Sequence, residues 1–423
     1  MIKRIKGLDL DVHIYNINGL LIYLVPNNKL KGIFASLSVK FGSYNEIFKN
    51  GKELIKLPHG TAHFLEHQNF NTENNEDIFS FYSSHGCSCN ANTRLDKTTY
   101  LFSGVNFFSE NLNKLLDFVF NPYFTDESVN KEKGIIKEEI EMYLDDPYVK
   151  MMYQIKENMF QNEALNTPVI GSVASINKIT KEDLYLAYNS FYNPNNMFLV
   201  VAGNIDPDEV KNIVTDNLKN KKFNQNIPTK IYIDEPDKVV KKEETINLKV
   251  TIPKIVIGYK FNLNNLKNIK KYEAILYLRF LFENKLGNSS KLLEDLIAKE
   301  LIIDNFFINS SIVNDHVMFT IQAESNNPHK LYEEVKSALK DLSITEEELK
   351  RSKKVLLSEQ ILGSESNYQV SQKIMNNIIY YGDILYDAYD SIRNLNIKQY
   401  NYVIKNVSFN NVSVLYVNGK KDK

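Results

Sequence analysis

The sequence predicts an α+β protein made of two α/β-sandwich halves of similar fold, each a mostly antiparallel sheet covered by helices. The main observation is an internal repeat, because the segment at 175–185 is echoed by the segment at 391–400. Each copy precedes an apolar run typical of a closing strand, at 197–203 and at 412–419. A polar segment with two prolines separates the copies. We therefore expect a first domain at 1–217, a linker at 218–242 and a second domain at 243–423.

The first half begins with two apolar runs, at about residues 20–25 and 33–41, that are typical of strands. A helix is expected to begin near Pro58, because proline is favoured at the first positions of helices. Helical patterns follow at 111–118 and along 131–164. These helices would cover the sheet.

The composition argues against several classes of function. Lys and Arg number 51 against 52 Asp and Glu, and no basic run dominates, so no nucleic-acid partner is expected. No stretch approaches the roughly 20 apolar residues that a membrane-spanning helix needs, so no membrane partner is expected. The N-terminus lacks the features of a secretory signal peptide, which predicts a cytoplasmic location. Cys87 and Cys89 are separated by one residue, do not easily reach disulfide geometry and are expected to be reduced.

The most informative motif is HxxEH, formed by His63, Glu66 and His67. On a helix, two histidines four residues apart project from one face, and a glutamate three residues after the first shares that face. Both imidazoles could bind one Zn²⁺, which leaves Glu66 off the metal and able to take the proton of a water. The order is the reverse of HExxH and is the inverzincin signature of hydrolases. The alternative is a helix with two surface histidines and a solvated glutamate.

A third ligand would decide between these readings, and Glu139 is our candidate. The segment at 132–143 predicts an amphipathic helix on which Glu132 and Glu139, seven residues apart, share a face. Glu132 could orient a ligand or a water from behind the metal ligands. Glu138 and Glu141 point elsewhere around the helix and are expected to be solvated. The alternative is that all four glutamates coat a surface helix.

Together these residues resemble the pitrilysin-type metallopeptidases, the family of insulin-degrading enzyme and the mitochondrial processing peptidase. The match covers the HxxEH motif, the glutamate 72 residues after its second histidine and the companion Glu132, and it most resembles short bacterial members. The segment at 90–93, followed by 98–100, is similar to the family's substrate-pairing strand. The resemblance therefore implies that Asn90 and Ala91 bind substrate. It is strong over about residues 15–215 and diffuse afterwards.

The run Thr98–Phe102 also has a meaning of its own, because β-branched and aromatic residues favour a strand. An edge strand beside a metal could hold an extended peptide through main-chain hydrogen bonds, which tolerates many peptide sequences. The alternative is an ordinary sheet strand with an exposed edge.

The second half departs from the family pattern. In family members that act alone, or in the partner subunit of paired members, an Arg and a Tyr seven residues later contact substrate. Here those positions correspond to Ile297 and Asp304, which cannot make the same hydrogen bonds to a peptide. The second half also has no HxxEH motif. We expect a second subunit of the same fold to supply the Arg/Tyr pair.

The sequence thus predicts a zinc-dependent endopeptidase subunit that cleaves short or unfolded peptides inside a closed chamber, as the catalytic half of a heterodimer. Leader-peptide removal and maturation of another protein are both compatible with a strand that reads the peptide backbone. The main alternative is a non-catalytic scaffold or peptide-binding subunit of the same fold. A metalloenzyme acting on something other than a peptide is a further class, and no residues point to its substrate.

Overall fold

A computed structural model describes residues 1–224, 227–231, 233–303 and 306–419. Its strands are β1 Ile2–Ile5, β2 Leu10–Ile17, β3 Leu20–Pro26, β4 Ile33–Val39, β5 Ile47–Asn50, β6 Glu53–Lys56, β7 Ser88–Thr93, β8 Thr98–Gly104, β9 Met197–Gly203, β10 Thr229–Lys230, β11 Glu243–Leu248, β12 Lys254–Asn262, β13 Phe306–Val313, β14 His316–Glu324 and β15 Val412–Gly419.

The helices lie between these strands. They are α1 Thr61–Gln68, α2 Ile78–Ser84, α3 Phe108–Phe120, α4 Asp126–Asp145, α5 Pro147–Met159, α6 Glu163–Asn166, α7 Val173–Ile176, α8 Lys181–Phe191, α9 Pro207–Leu218, α10 Lys271–Leu286, α11 Lys291–Ala298, α12 Pro328–Ala338, α13 Glu346–Ser364, α14 Asn367–Tyr381, α15 Ala388–Asn394 and α16 Ile397–Lys405. No helix of the described residues is long and apolar enough to cross a membrane.

The two large sheets share one topology. The first has the strand order β1-β2-β3-β9-β4-β8-β7, and the second has the order β11-β15-β12-β14-β13. In each sheet the closing strand pairs in parallel with one neighbour, β9 with β3 and β15 with β11. The other pairings of both sheets are antiparallel. The last five strands of the first sheet therefore match the whole second sheet, which confirms the predicted α+β class and the two similar halves.

The internal repeat corresponds to matching helix pairs before the closing strands. In the first half α7 and α8 precede β9, and in the second half α15 and α16 precede β15. The caps match too, because Thr180 accepts a hydrogen bond from the Asp183 N–H, and Asn396 accepts one from the Gln399 N–H. A side-chain oxygen at this position satisfies an N–H that the first helical turn leaves unpaired. The repeat in sequence is therefore a repeat of a capped helix followed by a buried strand.

Contacts divide the chain into two compact units. The first unit holds Met1–Glu141, Pro168–Tyr232 and Glu359–Tyr389, and the second holds Met142–Thr167, Ile233–Ser358 and Asp390–Lys423. The predicted domain bounds at residues 217 and 243 would put 142–167 in the first domain and 359–389 in the second. The contacts put each of these segments in the other unit. The physical reason is helix packing, because α5 packs on β12 and β15, whereas α14 packs on β4 and β9. Helix α5, from the first half of the chain, thus packs on the second sheet, and helix α14, from the second half, packs on the first sheet.

The segment at 218–242, predicted as a linker, is anchored where it is described. Thr229 and Lys230 form β10, which pairs with β5 in the first unit. Glu235 lies in the second unit, where its carboxylate forms an ion pair of 2.6 Å with Lys260, both side chains being fully buried. Removal of one partner of a buried ion pair strongly destabilises a folded protein, because the other charge is left buried and unpaired. This contact therefore holds the end of the segment in place.

Helix α14 and helix α1 lie on opposite faces of the first sheet. Side chains alternate along a strand, so Thr98 and Thr99 of β8 point to opposite faces. Thr99 bonds with Ser38, whose hydroxyl contacts Met375 of α14 at 3.4 Å. Thr98 lies 3.2 Å from Thr93, which bonds to Glu66 of α1. The strand β4 is buried along its whole length because helices cover both of these faces.

Candidate metal centre

Helix α1 carries the HxxEH motif and begins at a tight turn. Gly60 precedes the helix with φ of 92°, and a Cβ there would lie 2.6 Å from the carbonyl oxygen of Ile170. Only glycine adopts this conformation at no steric cost. Buried Glu46 satisfies one N–H of the first turn, because its Oε1 accepts a hydrogen bond of 2.9 Å from Ala62. The helix therefore starts at Thr61, three residues after the Pro58 predicted from sequence.

Helix α4 brings two glutamates to the histidine face of α1. Glu139 Oε1 lies 3.9 Å from Nε2 of His63, and Glu139 Oε2 lies 3.6 Å from Nε2 of His67. Glu132 Oε1 lies 2.9 Å from Nδ1 of His67. The two helices are tied together at the end of α1, where Gln68 accepts a hydrogen bond of 2.8 Å from the hydroxyl of Ser128.

The donor atoms of His63, His67 and Glu139 suit a zinc ion. One ligand atom from each of the three lies within 4.8 Å of the other two, and among the described residues only this group was found with that geometry. The distances from Glu139 to the imidazoles exceed hydrogen-bond length, yet they fall within reach of a shared ion with ligand distances of about 2 Å. Two imidazole nitrogens and one carboxylate form a known ligand set for hydrolytic zinc.

The pKa values of the two histidines shift in opposite directions, and the neutral form that a metal requires is favoured at His63. Burial, followed by the nearby His67, lowers the pKa of His63 to about 3, so its imidazole is neutral at physiological pH. Burial opposes a rise in the pKa of His67, but the hydrogen bond and charge of Glu132 raise it overall. Because Glu132 accepts the Nδ1 proton, the Nε2 of His67 is left to face Glu139.

Glu66 is placed as a general base would need to be. Its side chain is buried, and its Oε2 accepts a hydrogen bond from the hydroxyl of Thr93 at the end of β7. Burial raises the pKa of Glu66 to about 7, against the lowering effect of the Thr93 hydrogen bond. The hydroxyls of Tyr100 and Tyr192, 2.7 Å apart, form a buried pair nearby. Burial raises the pKa of both, and the charge of Glu66 makes a smaller contribution in the same direction.

The exposed edge beside α1 is β7, not the run Thr98–Phe102. That run forms β8, which is paired on both sides, by β4 and by β7. The interpretation of Thr98–Phe102 as an edge strand is therefore wrong, because its bulky side chains belong to an interior strand. β7 pairs with β8 alone among the described residues, and it carries Asn90 and Ala91. Asn90 Oδ1 accepts the N–H of Ala91 at 2.8 Å.

The second half has no equivalent of this metal centre among its described residues. The counterpart of α1 is α10, since α1 is the first α-helix after β4 and α10 is the first after β12, and these two strands hold the same place in the two sheets. Its sequence from Lys271 to Leu286 contains no histidine. Ile297 lies near the end of α11 with 60% of its surface exposed. Asp304, the position predicted to replace a Tyr, lies outside the described residues.

The structure brings together His63, Glu66, His67, Glu132 and Glu139, and it puts Asn90 and Ala91 on the neighbouring edge strand. Sequence reasoning missed three supporting residues. Glu46 caps α1, Gln68 joins α1 to α4, and Thr93 donates a hydrogen bond to Glu66. The first two carry no local signal. Thr93 belongs to the segment at 90–93 that resembles the family's substrate-pairing strand. Because side chains alternate along a strand, the position of Thr93 could have predicted that its side chain lies on the face toward α1.

Comparisons with known proteins identify the family of this chain. The family model described as "Insulinase (Peptidase family M16)" matches residues 30–173, and the one described as "Peptidase M16 inactive domain" matches residues 178–356. "Uncharacterized zinc protease YmfH" from Bacillus subtilis (strain 168) is 35% identical over 369 residues, covering 84% of this chain and 85% of that protein. An "uncharacterized zinc protease" from Rickettsia felis is 26% identical and covers 86% of each chain.

Solved structures extend the likeness to the whole fold. A crystal structure of an M16-like peptidase from Alicyclobacillus acidocaldarius has a TM-score of 0.91 and 26% identity, covering 98% of this chain and all of that one. Pitrilysin has a TM-score of 0.77 at 16% identity, with 99% of this chain matched to 46% of that chain, which shows the fold alone. The chain belongs to peptidase family M16, the pitrilysin-type family that the HxxEH motif predicted.

Proposed function

We propose that this chain is the catalytic subunit of a zinc-dependent endopeptidase that cleaves short or unfolded peptides. The observation that carries the proposal is the position of Glu66, buried and held by Thr93, on the same helix face as His63 and His67. A base beside a complete ligand set is what peptide hydrolysis at a metal requires. The names of the relatives, zinc proteases, support the same activity.

The residues have separate roles in the proposed mechanism. His63, His67 and Glu139 would hold zinc, which when bound lowers the pKa of water and polarises the scissile carbonyl. Glu66 takes a proton from the attacking water at its carboxylate and later gives a proton to the leaving amine. Glu132 fixes the tautomer of His67 through the Nδ1 contact of 2.9 Å. Asn90 and Ala91, on the edge strand β7, bind the substrate as an added strand.

The proposal includes a second subunit of the same fold. The position predicted for a substrate-binding Arg is Ile297, which has neither charge nor hydrogen-bond donor in its side chain. A homodimer would therefore hold two metal centres and no Arg/Tyr pair. A heterodimer would supply both, and two such chains would enclose a chamber that admits flexible peptides. We also propose a cytoplasmic location, which suits the free thiols of Cys87 and Cys89.

The test is cleavage of quenched, unstructured peptides by the zinc-loaded chain, alone and with a co-expressed partner of the same fold. Cleavage by the pair, with little by the chain alone, is the expected result. Glu66→Gln should keep the zinc content and abolish cleavage, because an amide cannot accept the proton. Strong activity of the pure homodimer would remove the need for a partner. Zinc binding with no cleavage in either preparation would favour the second candidate, a scaffold or peptide-binding subunit.

A further inference from the structure

Three cationic residues lie in a row across one end of the first sheet. Lys40 directly follows Val39, the last residue of β4, and Lys97 directly precedes Thr98, the β8 residue that pairs with Val39. Arg94 directly follows the last residue of β7, and its N–H donates a hydrogen bond of 2.8 Å to the carbonyl of Lys97. These three residues, the cation row, therefore lie at one level on the neighbouring strands β4, β8 and β7.

The side chains of the cation row lie on the α14 side of the sheet. Nζ of Lys97 donates a hydrogen bond of 3.1 Å to Asn376 of α14. Nζ of Lys40 lies 6.0 Å from the centre of the Phe198 ring, which belongs to the same apolar cluster as side chains of α14. Arg94 is the cross-strand partner of Lys97, and opposite residues of an antiparallel pair share a face.

The cation row has more positive charge than its surroundings balance. Asp96, in the same turn, is 8% exposed, and its charge opposes the lowering of the Lys97 pKa by burial. The side chains of exposed Arg94 and half-buried Lys40 have no hydrogen bond or ion pair among the described residues. Like charges directly opposite each other on neighbouring strands are destabilising. An anion brought to this end of the sheet would offset that cost.

The cation row begins at the end of the strand proposed to bind the substrate. Thr93, the last residue of β7, donates a hydrogen bond to Glu66, and Arg94 is the next residue. A peptide that pairs with the free edge of β7 leaves the sheet beside Arg94. Strands lie about 4.8 Å apart, so Lys40 is on the order of 10 Å from β7, close to one Debye length at physiological salt. The charges of the row therefore act on residues just beyond the paired segment.

We propose that the cation row selects peptide substrates that carry acidic residues next to the segment paired with β7. The inference rests on the proposed peptidase function and makes its substrate class more specific. Arg94 binds an acidic side chain directly, because a guanidinium can donate two parallel hydrogen bonds to one carboxylate. Lys97 and Lys40 attract the same carboxylates at longer range. Each exposed charge pair contributes little alone, so a short run of acidic residues is preferred over a single one.

The test is the binding of fluorescent peptides to the zinc-loaded full chain with the substitution Glu66→Gln, which removes the proposed base and so prevents cleavage. All peptides share one uncharged core, extended at its N-terminal or its C-terminal side by a short run of Glu, Gln or Lys. Fluorescence anisotropy measures each affinity. We expect a Glu run on one side to bind about three- to tenfold more tightly than the Gln run, and a Lys run to bind more weakly.

Salt and the side of the acidic run add two further readouts. The preference for Glu should shrink as the NaCl concentration rises from about 0.05 M to about 0.5 M, because salt screens exposed charges. A preference for Glu at the N-terminal side means that the peptide runs antiparallel to β7, and a preference at the C-terminal side means that it runs parallel. Equal binding of the Glu, Gln and Lys peptides would overturn this inference alone. Binding of no peptide would overturn the proposed function and this inference with it.

Variants of the two unpaired cations show whether the cation row causes the preference. Arg94→Gln should lower the ratio of Glu-peptide affinity to Gln-peptide affinity about two- to fivefold, and Lys40→Gln should lower it by a smaller factor. The ratio is measured because any general loss of folded protein affects both peptides alike. Lys31→Gln, at an exposed position before the opposite end of β4, is the matched control and should leave the ratio unchanged. An unchanged ratio in Arg94→Gln would overturn the assignment.

Discussion

The hydroxyl of Thr93 donates a hydrogen bond to Oε2 of Glu66, which joins the edge strand β7 to the proposed base on α1. Thr93 is the last residue of β7, and the same strand carries Asn90 and Ala91. The strand that would hold the peptide therefore also orients the carboxylate that would take the proton of water. In the proposed mechanism, substrate positioning and proton transfer would thus depend on one short segment of chain.

Removal of the Thr93 hydroxyl should slow catalysis without disturbing the metal. Thr93→Val keeps the shape and loses the donor, so the Glu66 carboxylate is free to turn away from the attacking water. We expect kcat to fall about tenfold or more with little change in KM, because general-base catalysis depends on geometry. Thr93→Ser keeps the donor and should retain most of the activity. Peptide cleavage and zinc content are measured for both variants, and equal rates would contradict the positioning role.

Replacement of Glu132 should weaken metal binding. Glu132 accepts a hydrogen bond of 2.9 Å from Nδ1 of His67, and this contact selects the tautomer in which Nε2 carries no proton. Glu132→Gln removes the charge behind the imidazole and should lower zinc affinity about 10- to 100-fold. Zinc affinity is measured by competition with a chromogenic chelator. Glu138→Gln, at an exposed position of the same helix, is the control and should leave the affinity unchanged.

The elements predicted correctly from sequence are those specified by local patterns. β3 and β4 follow from apolar runs, and β9 and β15 are the closing strands that the repeat indicated. The approach of Glu139 to His63 and His67 was predicted from helical spacing and family resemblance, and α4 satisfies both. The role of these residues as metal ligands stays a prediction.

The features that sequence reasoning missed depend on distant pairing. Thr98–Phe102 has the stronger β-pattern, yet the polar strand Ser88–Thr93 lies at the edge, because edge position is decided by which strands pair and not by propensity. The packing of α14 on β4 joins residues more than 300 apart in sequence. One such contact, between the hydroxyls of Ser36 and Ser371 at 3.2 Å, has no local signal in either segment.

Two glycines should respond to alanine in opposite directions. Gly60→Ala must adopt a φ of 92° and bring a Cβ to 2.6 Å from the Ile170 carbonyl, so the free energy of unfolding should fall by about 1–3 kcal/mol or more. Gly134 lies inside α4 with open space around its Cα, so Gly134→Ala should raise that free energy by about 0.5–1 kcal/mol. Urea unfolding followed by circular dichroism measures both. A stability gain for Gly60→Ala would contradict the described turn.

Lys97 should make the stability of the chain depend on pH. It is 2% exposed, and burial lowers the pKa of Lys97 from 10.5 to about 8, although the charge of Asp96 opposes this and that of Arg94 adds to it. Between these two pH values the unfolded chain binds more protons at Lys97 than the folded chain does. The free energy of unfolding therefore rises with pH across this window. Below about pH 8 the folded state holds a buried charge, and its stability is lowered.

Lys97→Met removes this effect and should be compared with the unmodified chain at pH 7.5 and pH 9.5. The variant's stability relative to the unmodified chain should decrease by about 2 kcal/mol between pH 7.5 and pH 9.5. The reason is that loss of the Lys97 proton removes a buried charge from the unmodified chain alone. Loss of the Lys97 hydrogen bond to Asn376 shifts this stability difference at both pH values. It does not change how the difference varies with pH below the pKa of Lys97. Lys52→Met, at an exposed position, should give parallel curves. A pH-independent difference for Lys97→Met would show that Lys97 keeps its ordinary pKa in the folded chain.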